Sequence, residues 1–305
     1  MGFMSPSRSV RLVPSRELCG TTPEEFAVLL ERLAPLVVER RCRLADRPGR
    51  LRAPGAGRPP FALWLRLLVA LTHLRQGTSV RATGEICGVH ERSVRRYRDE
   101  IEELLSDHGF CPPGAKRPIR SLEDLAAYLG ELSGGTVLVD GTEVRRWSPY
   151  PWEEQKAAWS GKTKDHVVKA TVVADAGRRP IWVEANPSGE GRTGDIAMLR
   201  SQDGLMAALQ AGVAAGMVVI ADRGYPTLRR DLGVEGVVTP IYANKHHPTL
   251  PPADRDYNRK LSSRRMPVEH AIGRMKWWRA LTYWRRPVPA FARTIQAIAI
   301  LTTLT

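Results

Sequence analysis

Four short runs rich in Val, Ile and Thr set the strongest limits on what this chain can fold into. They are TVLVDGTEV (136–144), HVVKATVVAD (166–175), RPIWVEAN (179–186) and MVVIADRGY (217–225). Runs of this length and composition read as strands. Short turns between the first three predict an antiparallel meander. The helical segment DIAMLRSQDGLMAALQAGV (195–213) separates the third run from the fourth. Strand, helix, strand predicts a parallel crossover. A weaker strand, GVVTPIYA (236–243), follows, and the chain turns helical again from about residue 263. The expected core is an α/β domain with a mixed five-stranded sheet and flanking helices.

Asp140 interrupts the first strand. A carboxylate in a Val-rich run is costly unless something compensates it. Two more acids have distinctive settings. Asp222 ends the fourth strand before a Gly turn, and Glu269 lies near the expected start of a helix in SSRRMPVEHAIGRMKWW. Taken singly, each has an ordinary reading. Asp140 and Asp222 can accept backbone hydrogen bonds in turns, and Glu269 can favour the positive end of a helix. Taken together, carboxylates at strand ends plus one from a facing helix can converge on divalent cations. Oxygen ligands suit Mg2+ or Mn2+. Two such ions can hold the attacking and leaving oxygens of an in-line phosphoryl transfer. Glu143, three residues after Asp140, is expected on the opposite side of a continuing strand. Asp195 precedes a helix, which an N-cap explains, though it could also lie near the site.

Upstream the chain reads as helical. TPEEFAVLLERLAPLVVERRCRLA (22–45) starts with a capping box, Thr22 to Glu25, and Pro35 is expected to kink or split it. RPGRLRAPGAGRPP (47–60) is a loop or arm, and FALWLRLLVAL opens an apolar helix at 61–75. A helix-turn-helix pattern covers about 77–105, with a first helix at 79–87, a turn at Gly88, Val89 and His90, and a second helix from residue 91. On that helix Val94, Ile101 and Leu105 point inward, leaving Arg92, Ser93, Arg95, Arg96 and Arg98 for a DNA groove. A solvated Arg face on an all-α surface is the plainer alternative. CPPGAKRPIR (111–120) reads as a linker and a short helix begins near Ser121, which places a domain boundary near 130/131.

Charge points to a polyanion. The formal net charge is +14, which draws a chain to nucleic acid unless its Arg content merely reflects a high-GC genome. Between Tyr242 and Arg293 twelve Lys and Arg face only Asp254, Asp256 and Glu269, as a DNA channel would require. Trp277 and Trp278 can stack on unpaired bases or pack in a core. Other classes fall away. Cys19, Cys42, Cys87 and Cys111 lack zinc or disulfide spacing and fit a reducing cytoplasm. The opening MGFMSPSRSVRLVPSR shows no signal-peptide core, and the 61–71 run is too short to span a bilayer. SGKT (160–163) lacks the Gly that a phosphate loop needs, that position being Lys156. His246, His247 and His270 have no metal-ligand spacing.

Several stretches, in order, resemble the catalytic domain of DDE transposases, in the branch of bacterial insertion-sequence family five and its PIF/Harbinger relatives. VDGTEV (139–144) resembles the first-Asp motif, WSGKTKDHVVK (159–169) the following hairpin, SGEGRTGDIAML (188–199) the Gly-to-Asp segment, and IADRGY (220–225) the second-Asp motif. Arg265, Glu269 and Lys276 show the Arg-x3-Glu-x6-Lys spacing of the third. CGTTPEEF (19–26), GRPP (57–60) and LVALTHLR (68–75) resemble the family's helical N-terminal region. The Tyr expected before Arg265 is missing, with only Tyr257 and Asn258 nearby, and the hairpin carries Trp159 where Tyr is commoner.

The resemblance implies a ribonuclease H-like catalytic domain over 131–305, preceded by a DNA-binding region over 1–130. It implies Asp140, Asp222 and Glu269 as the catalytic, metal-holding triad with two Mg2+ or Mn2+ ions. Lys162, Lys164, Arg265 and Lys276 would contact DNA, and Gly141 would let its backbone approach. The expected partner is double-stranded DNA, both element ends and target, bound by a homodimer or higher oligomer in the cytoplasm, without a membrane. A domesticated DNA-binding protein and a stand-alone ribonuclease H-like nuclease are the alternatives.

Overall fold

The computed structural model describes residues 12–45, 62–243 and 249–304. The expected arm at 47–60 and the residues Lys245, His246 and His247 lie outside the described residues. Packing divides the chain into two units, Met1–Ile101 and Glu102–Thr305.

The first unit is helical. Helix α1 (Pro23–Ala45) begins at the expected capping box: the Thr22 amide donates to Glu25 Oε2 at 2.8 Å and the Glu25 amide to Thr22 Oγ1 at 3.2 Å. Pro35 does not split it. Helix α2 (Leu63–Gln76) ends at Gly77, whose φ of 60° is the left-handed conformation that closes helices. Helix α3 (Val80–Cys87) is capped by Ser79 and ends at Gly88, also left-handed at φ 65°. Helix α4 (Glu91–His108) runs across the division between units. Val69, Cys87, Val94 and Tyr97 form the core that joins α2, α3 and α4. Arg66 would be an expensive buried charge, and it pairs with Glu100.

The second unit contains the sheet. Its long strands are β1 (Thr136–Arg146), β3 (Asp165–Asp175), β4 (Pro180–Ala185) and β5 (Val218–Ala221), with two-residue β2 (Trp159–Ser160), β6 (Val237–Val238) and β7 (Tyr283–Trp284). The order β4-β3-β1-β5-β6 forms one path, β4–β3–β1 antiparallel and β1–β5–β6 parallel. The meander and crossover are as the strand spacing predicts. The short strands β2 and β7 bring the total to seven. The expected strand at 236–243 shrinks to Val237–Val238.

Val167 to Ala174 of β3 are buried without a break. A strand that does not alternate has both faces covered, and helices cover them. Helix α5 (Leu122–Glu131) packs on α8 (Asp203–Ala214), which packs on β5. Helix α10 (Pro252–Lys276) lies against β1 and β3, and α11 (Pro289–Leu304) against β4. Three short helices complete the unit: α6 (Trp152–Ala158), α7 (Asp195–Arg200) and α9 (Leu228–Leu232). Since α5 packs on α8, it joins the sheet-bearing unit, and the division falls upstream of the 130/131 boundary read from the sequence. The single helix expected at 195–213 is two, α7 and α8, broken at Ser201 and Gln202. Gln202 leaves the helix to bond Thr171 on β3 at 2.7 Å and the Glu184 carbonyl on β4 at 3.0 Å.

Helix α10 departs most from expectation. It starts at Pro252, not near residue 263, because Pro251 and Pro252 supply an extended entry and a first helical residue that needs no N–H donor. Pro267 lies inside it without ending it. Glu269 therefore sits in the last third of a 25-residue helix, far from the positive N-terminal end.

Candidate active site

Register explains why two acids meet. Strand β5 pairs with β1 from Thr136↔Val218 to Val139↔Ala221 and stops. Asp140 and Asp222 are the next residue on each strand, so two parallel strands deliver adjacent carboxylates at their carboxyl ends. Ligand sites of open α/β sheets form at such a place. Val137 and Val139 are fully buried on β1 and anchor it. Both acids also make the local bonds that their ordinary readings require: the Gly141 amide donates to Asp140 Oδ1 at 2.8 Å and the Gly224 amide to Asp222 Oδ1 at 2.6 Å.

From α10, Arg265 reaches into the acids. Its Nη2 lies 3.5 Å from Asp140, 3.8 Å from Asp222 and 3.9 Å from Glu269. One guanidinium thus faces three carboxylates at ion-pair distance, none of them within hydrogen-bond distance. Compensation is incomplete, and Asp140 shows it. Burial, then the neighbouring charge of Asp222, push its carboxyl up to about 6 against the pull of Arg265.

A fourth acid stands beside them. Asp195 is the first residue of α7, not its N-cap, which is Gly194. A Cβ added at Gly141 would stand 2.8 Å from Asp195 Oδ1, and one at Gly224 would stand 2.7 Å from Asp195 Oδ2. The two glycines therefore make room for this carboxylate, and Gly141 admits Asp195 where the sequence suggested a DNA backbone. Lys169 on β3 fixes it: the buried Nζ lies 3.3 Å from Asp195, 3.1 Å from Glu143 and 2.8 Å from the Thr193 carbonyl. Lys169 escaped sequence reasoning because its strand position alone says nothing of two acids on other elements.

Glu143 does not turn away from Asp140. Both line one groove of about 540 Å³, with Lys162, Thr163, Glu269 and Lys276 also on its wall. Beyond Val139 the β5 side of β1 carries no strand partner until β7 pairs at Arg145, among the described residues. Residues on either face reach the groove over that open edge. Ser160 donates to Glu143 at 2.9 Å and Thr163 also donates to it; burial pushes its carboxyl up, but these hydroxyls together with Lys169 outweigh it and hold the carboxyl below the usual range. Lys276 is drawn downward, first by desolvation, with Lys162 adding to it and Glu143 and Asp140 opposing.

The donors match a hard divalent cation in chemistry: oxygen atoms only, with more carboxylates than cations. Thr142 Oγ1, the Tyr225 hydroxyl and Arg265 Nε are buried without hydrogen-bond partners among the described residues. Tyr225 is fully buried and is pushed well above its ordinary value by that burial, then by Asp195, Asp140 and Asp222. Orphaned polar atoms around a surplus of carboxylate suit a hydrated ion. Among the described residues the acids do not themselves form a three-ligand metal group, and Arg265 and Lys169 are cations among them.

The other expected contacts divide. Lys162 and Lys164 are exposed on the turn after β2. On α4, Arg92, Arg95 and Arg96 are exposed and Ser93 is half-buried, while Val94, Ile101 and Leu105 are fully buried as expected. Arg98 is buried and bonds Asp99 at 2.9 and 3.0 Å, so it is withdrawn from the exposed set. Arg286 also leaves the basic tail's free surface: its Nη1 donates to buried Glu102 at 2.6 Å. Trp278 is buried and Trp277 exposed. Asn258 bonds the Ile241 amide and carbonyl at 2.8 and 2.9 Å, tying α10 to the segment after β6. No described helix is long and apolar enough to cross a membrane.

Comparison with known proteins gives the chain a family. Residues 139–304 match the family described as DDE superfamily endonuclease. The probable transposase for insertion sequence element IS702 of Microchaete diplosiphon is 26% identical over 272 residues, covering 88% of this chain and 84% of that relative. No solved structure matches the chain. The mixed sheet with flanking helices fits a ribonuclease H-like domain of that family.

Proposed function

The chain belongs to the DDE superfamily endonucleases, and from that premise we propose that it is an insertion-sequence transposase of family five that cuts and joins DNA at element ends. The observation that carries the reading is the meeting of Asp140 and Asp222 at the ends of paired parallel strands, with Arg265 and Glu269 arriving from α10.

Asp140, Asp222 and Glu269 would hold two Mg2+ or Mn2+ ions. Ions bound there supply charge to the scissile phosphate and acidity to the attacking oxygen. The chain's own residues do the rest. Asp195, wedged against Gly141 and Gly224 and fixed by Lys169, keeps the aspartate pair in place. Arg265 offsets the mutual repulsion of the acids. Lys162 and Lys276 line the same groove and grip phosphates of the strand being cut. Lys164 extends that grip along the turn. In the helical unit, Gly88 sets α3 against α4, and Arg92, Ser93, Arg95 and Arg96 contact the terminal inverted repeats, as in a helix-turn-helix. The upstream unit binds ends, the downstream unit performs chemistry, and two or more copies assemble on double-stranded DNA in the cytoplasm.

The test uses purified protein, DNA carrying the inverted repeats that flank its gene, and Mg2+ or Mn2+. Wild type should nick at the repeat ends and join the freed 3′-hydroxyl to a target. Asp140→Ala or Asp222→Ala should lose both steps, at least about a thousandfold, while still binding the repeats. Cleavage by either variant would remove the aspartate pair from catalysis. Nicking without joining would point to a nuclease, and binding without nicking by wild type to a domesticated DNA-binding protein.

A further inference from the structure

Lys169 is a cation in the wrong place to meet DNA. At 6% exposure it is too enclosed to reach a phosphate in the groove. An ammonium has three N–H donors, and three acceptors surround this one. They are Glu143 Oε1 on β1 at 3.1 Å, Asp195 Oδ1 at the start of α7 at 3.3 Å, and the Thr193 carbonyl before α7 at 2.8 Å. Buried ion pairs add little net stability over apolar side chains of like size. Three engaged donors on two elements point instead to placement.

The backbone beneath Lys169 is held on both edges. Lys169 stands opposite Glu143 in the β1–β3 register, and its carbonyl accepts from the Asn186 amide at 2.8 Å. Directly opposed residues of antiparallel strands share a face. Gly141, two residues before Glu143, shares it too, and Asp195 fills the space above Gly141.

Each acid leads to a different part of the groove. On one arm, Glu143 accepts from Ser160 and Thr163, the hydroxyls that flank Lys162 on the β2–β3 turn. That turn closes with Lys164 at φ 55°, a conformation uncommon for any residue but Gly, so an outside hold matters there. On the other arm, Asp195 borders the gap at Gly224. A Cβ added at Gly224 would meet Asp195 Oδ2 at 2.7 Å and Asp222 Oδ1 at 2.9 Å. The Ile196 amide donates to the Gly224 carbonyl at 3.2 Å, which docks the start of α7 on the turn after Asp222. One ammonium thus stands between the hairpin that brings Lys162 to the groove and the aspartate pair.

We propose that Lys169 is a positioning residue that ties the Lys162 hairpin and the aspartate pair into one unit, so that the gripped phosphate and the cation site keep one spacing. Glu143 then anchors the hairpin and is not a metal ligand. This rests on the reading that the acids hold the catalytic ions.

Two readouts on full-length protein separate the arms. Limited trypsin digestion, with the cuts located by mass spectrometry, reports opening of the hairpin at Lys162 and Lys164. The rise in Tm on adding Mn2+ without DNA reports the acids. Lys169→Met should be cut at the hairpin roughly tenfold faster than wild type and lose most of the Mn2+ rise. Glu143→Ala should be cut faster and keep the rise. Asp195→Asn should lose the rise and keep the hairpin protected. The last two variants each leave Lys169 one carboxylate, so they carry the test if Lys169→Met does not fold. A folded Lys169→Met with wild-type cutting and wild-type Mn2+ rise overturns the proposal and leaves Lys169 a structural ion pair. A larger Mn2+ rise than wild type also overturns it, because removing a mere counter-charge leaves the acids more negative. Loss of the rise in Glu143→Ala, with the hairpin still protected, overturns the anchor and makes Glu143 a ligand. A wild type without any Mn2+ rise overturns the acid-site reading and the proposal together.

Discussion

The second unit contains two clusters of arginine and carboxylate, and they are built on opposite plans. Glu102 is fully buried and accepts from Arg286 Nη1 at 2.6 Å, Arg286 Nη2 at 3.3 Å and Thr294 at 2.8 Å. One acid meets one guanidinium and a hydroxyl, so charge and lone pairs are both satisfied. At Asp140 and Asp222, one guanidinium serves three acids at 3.5 to 3.9 Å, and its Nε has no partner among the described residues. The first arrangement is closed. The second leaves unmet charge at a surface groove, which is useless for stability and useful for holding a cation and a phosphate.

Removing each arginine breaks this contrast most directly. Arg286→Met leaves Glu102 charged, buried and unpaired, a loss of about 3–5 kcal/mol. Arg265→Met leaves acids that water and salt can reach, and should cost only about 1 kcal/mol. Urea denaturation of the two variants measures both. Equal losses would mean that the acid site is a structural ion cluster like the other.

The pH response separates the clusters further. Asp140 has its carboxyl raised from 3.8 to about 6. A carboxyl raised in the folded state binds its proton more tightly there than in the unfolded chain. Its contribution to stability is therefore present at low pH and is lost as pH rises from about 4 through 6. Asp140→Asn removes that loss, and in the absence of divalent cation it should be more stable than wild type at pH 7. After discounting for solvent around the site the gain should be about 1–2 kcal/mol, or a few degrees of Tm. Added Mg2+ or Mn2+ should raise the Tm of wild type and not of Asp140→Asn. A wild-type Tm indifferent to the ions would show that the repulsion is settled by Arg265 alone.

Sequence reasoning reached the acid site further than the closed one. Asp140 and Asp222 were legible because each follows a short Val-rich strand, and parallel pairing then puts strand ends side by side. Glu143 was read as turned away from Asp140 because alternation says nothing of the open edge that β1 has after Val139, over which both residues line one groove. Helix α10 was read too short because prolines at 251 and 252 look like a loop when they are an entry. Asp195 was legible as a helix start, but not as the side chain that fills the space left by two glycines on other elements. Glu102 and Arg286 are 184 residues apart, and nothing local marks either as buried. The same limit applies to Arg98, which a helical wheel leaves beside Arg95 and packing removes. Helix α6 went unread because seven residues are too few for a period, and β2 was reached only as part of the hairpin that the family resemblance implies.

The basic tail repeats the comparison among cations. Arg286 is consumed by Glu102, and Arg274 donates to the Thr302 carbonyl at 2.6 Å. Arg286 holds no charge free for a phosphate and Arg274 has one donor engaged, although sequence alone counts both with the rest. Lys276 differs. It lines the groove, and desolvation draws it below its ordinary value without a close ion pair among the described residues to hold it. Each Lys that neutralises a phosphate adds about 0.9 to the slope of log affinity against log salt. Lys276→Ala should therefore weaken DNA binding evenly across sequences and flatten that slope by about 1. Fluorescence anisotropy over a salt series, with protein lacking divalent cation, reads the slope apart from any effect on cleavage. An unchanged slope would place the phosphate away from Lys276, and the groove would have to be entered from the Lys162 side instead.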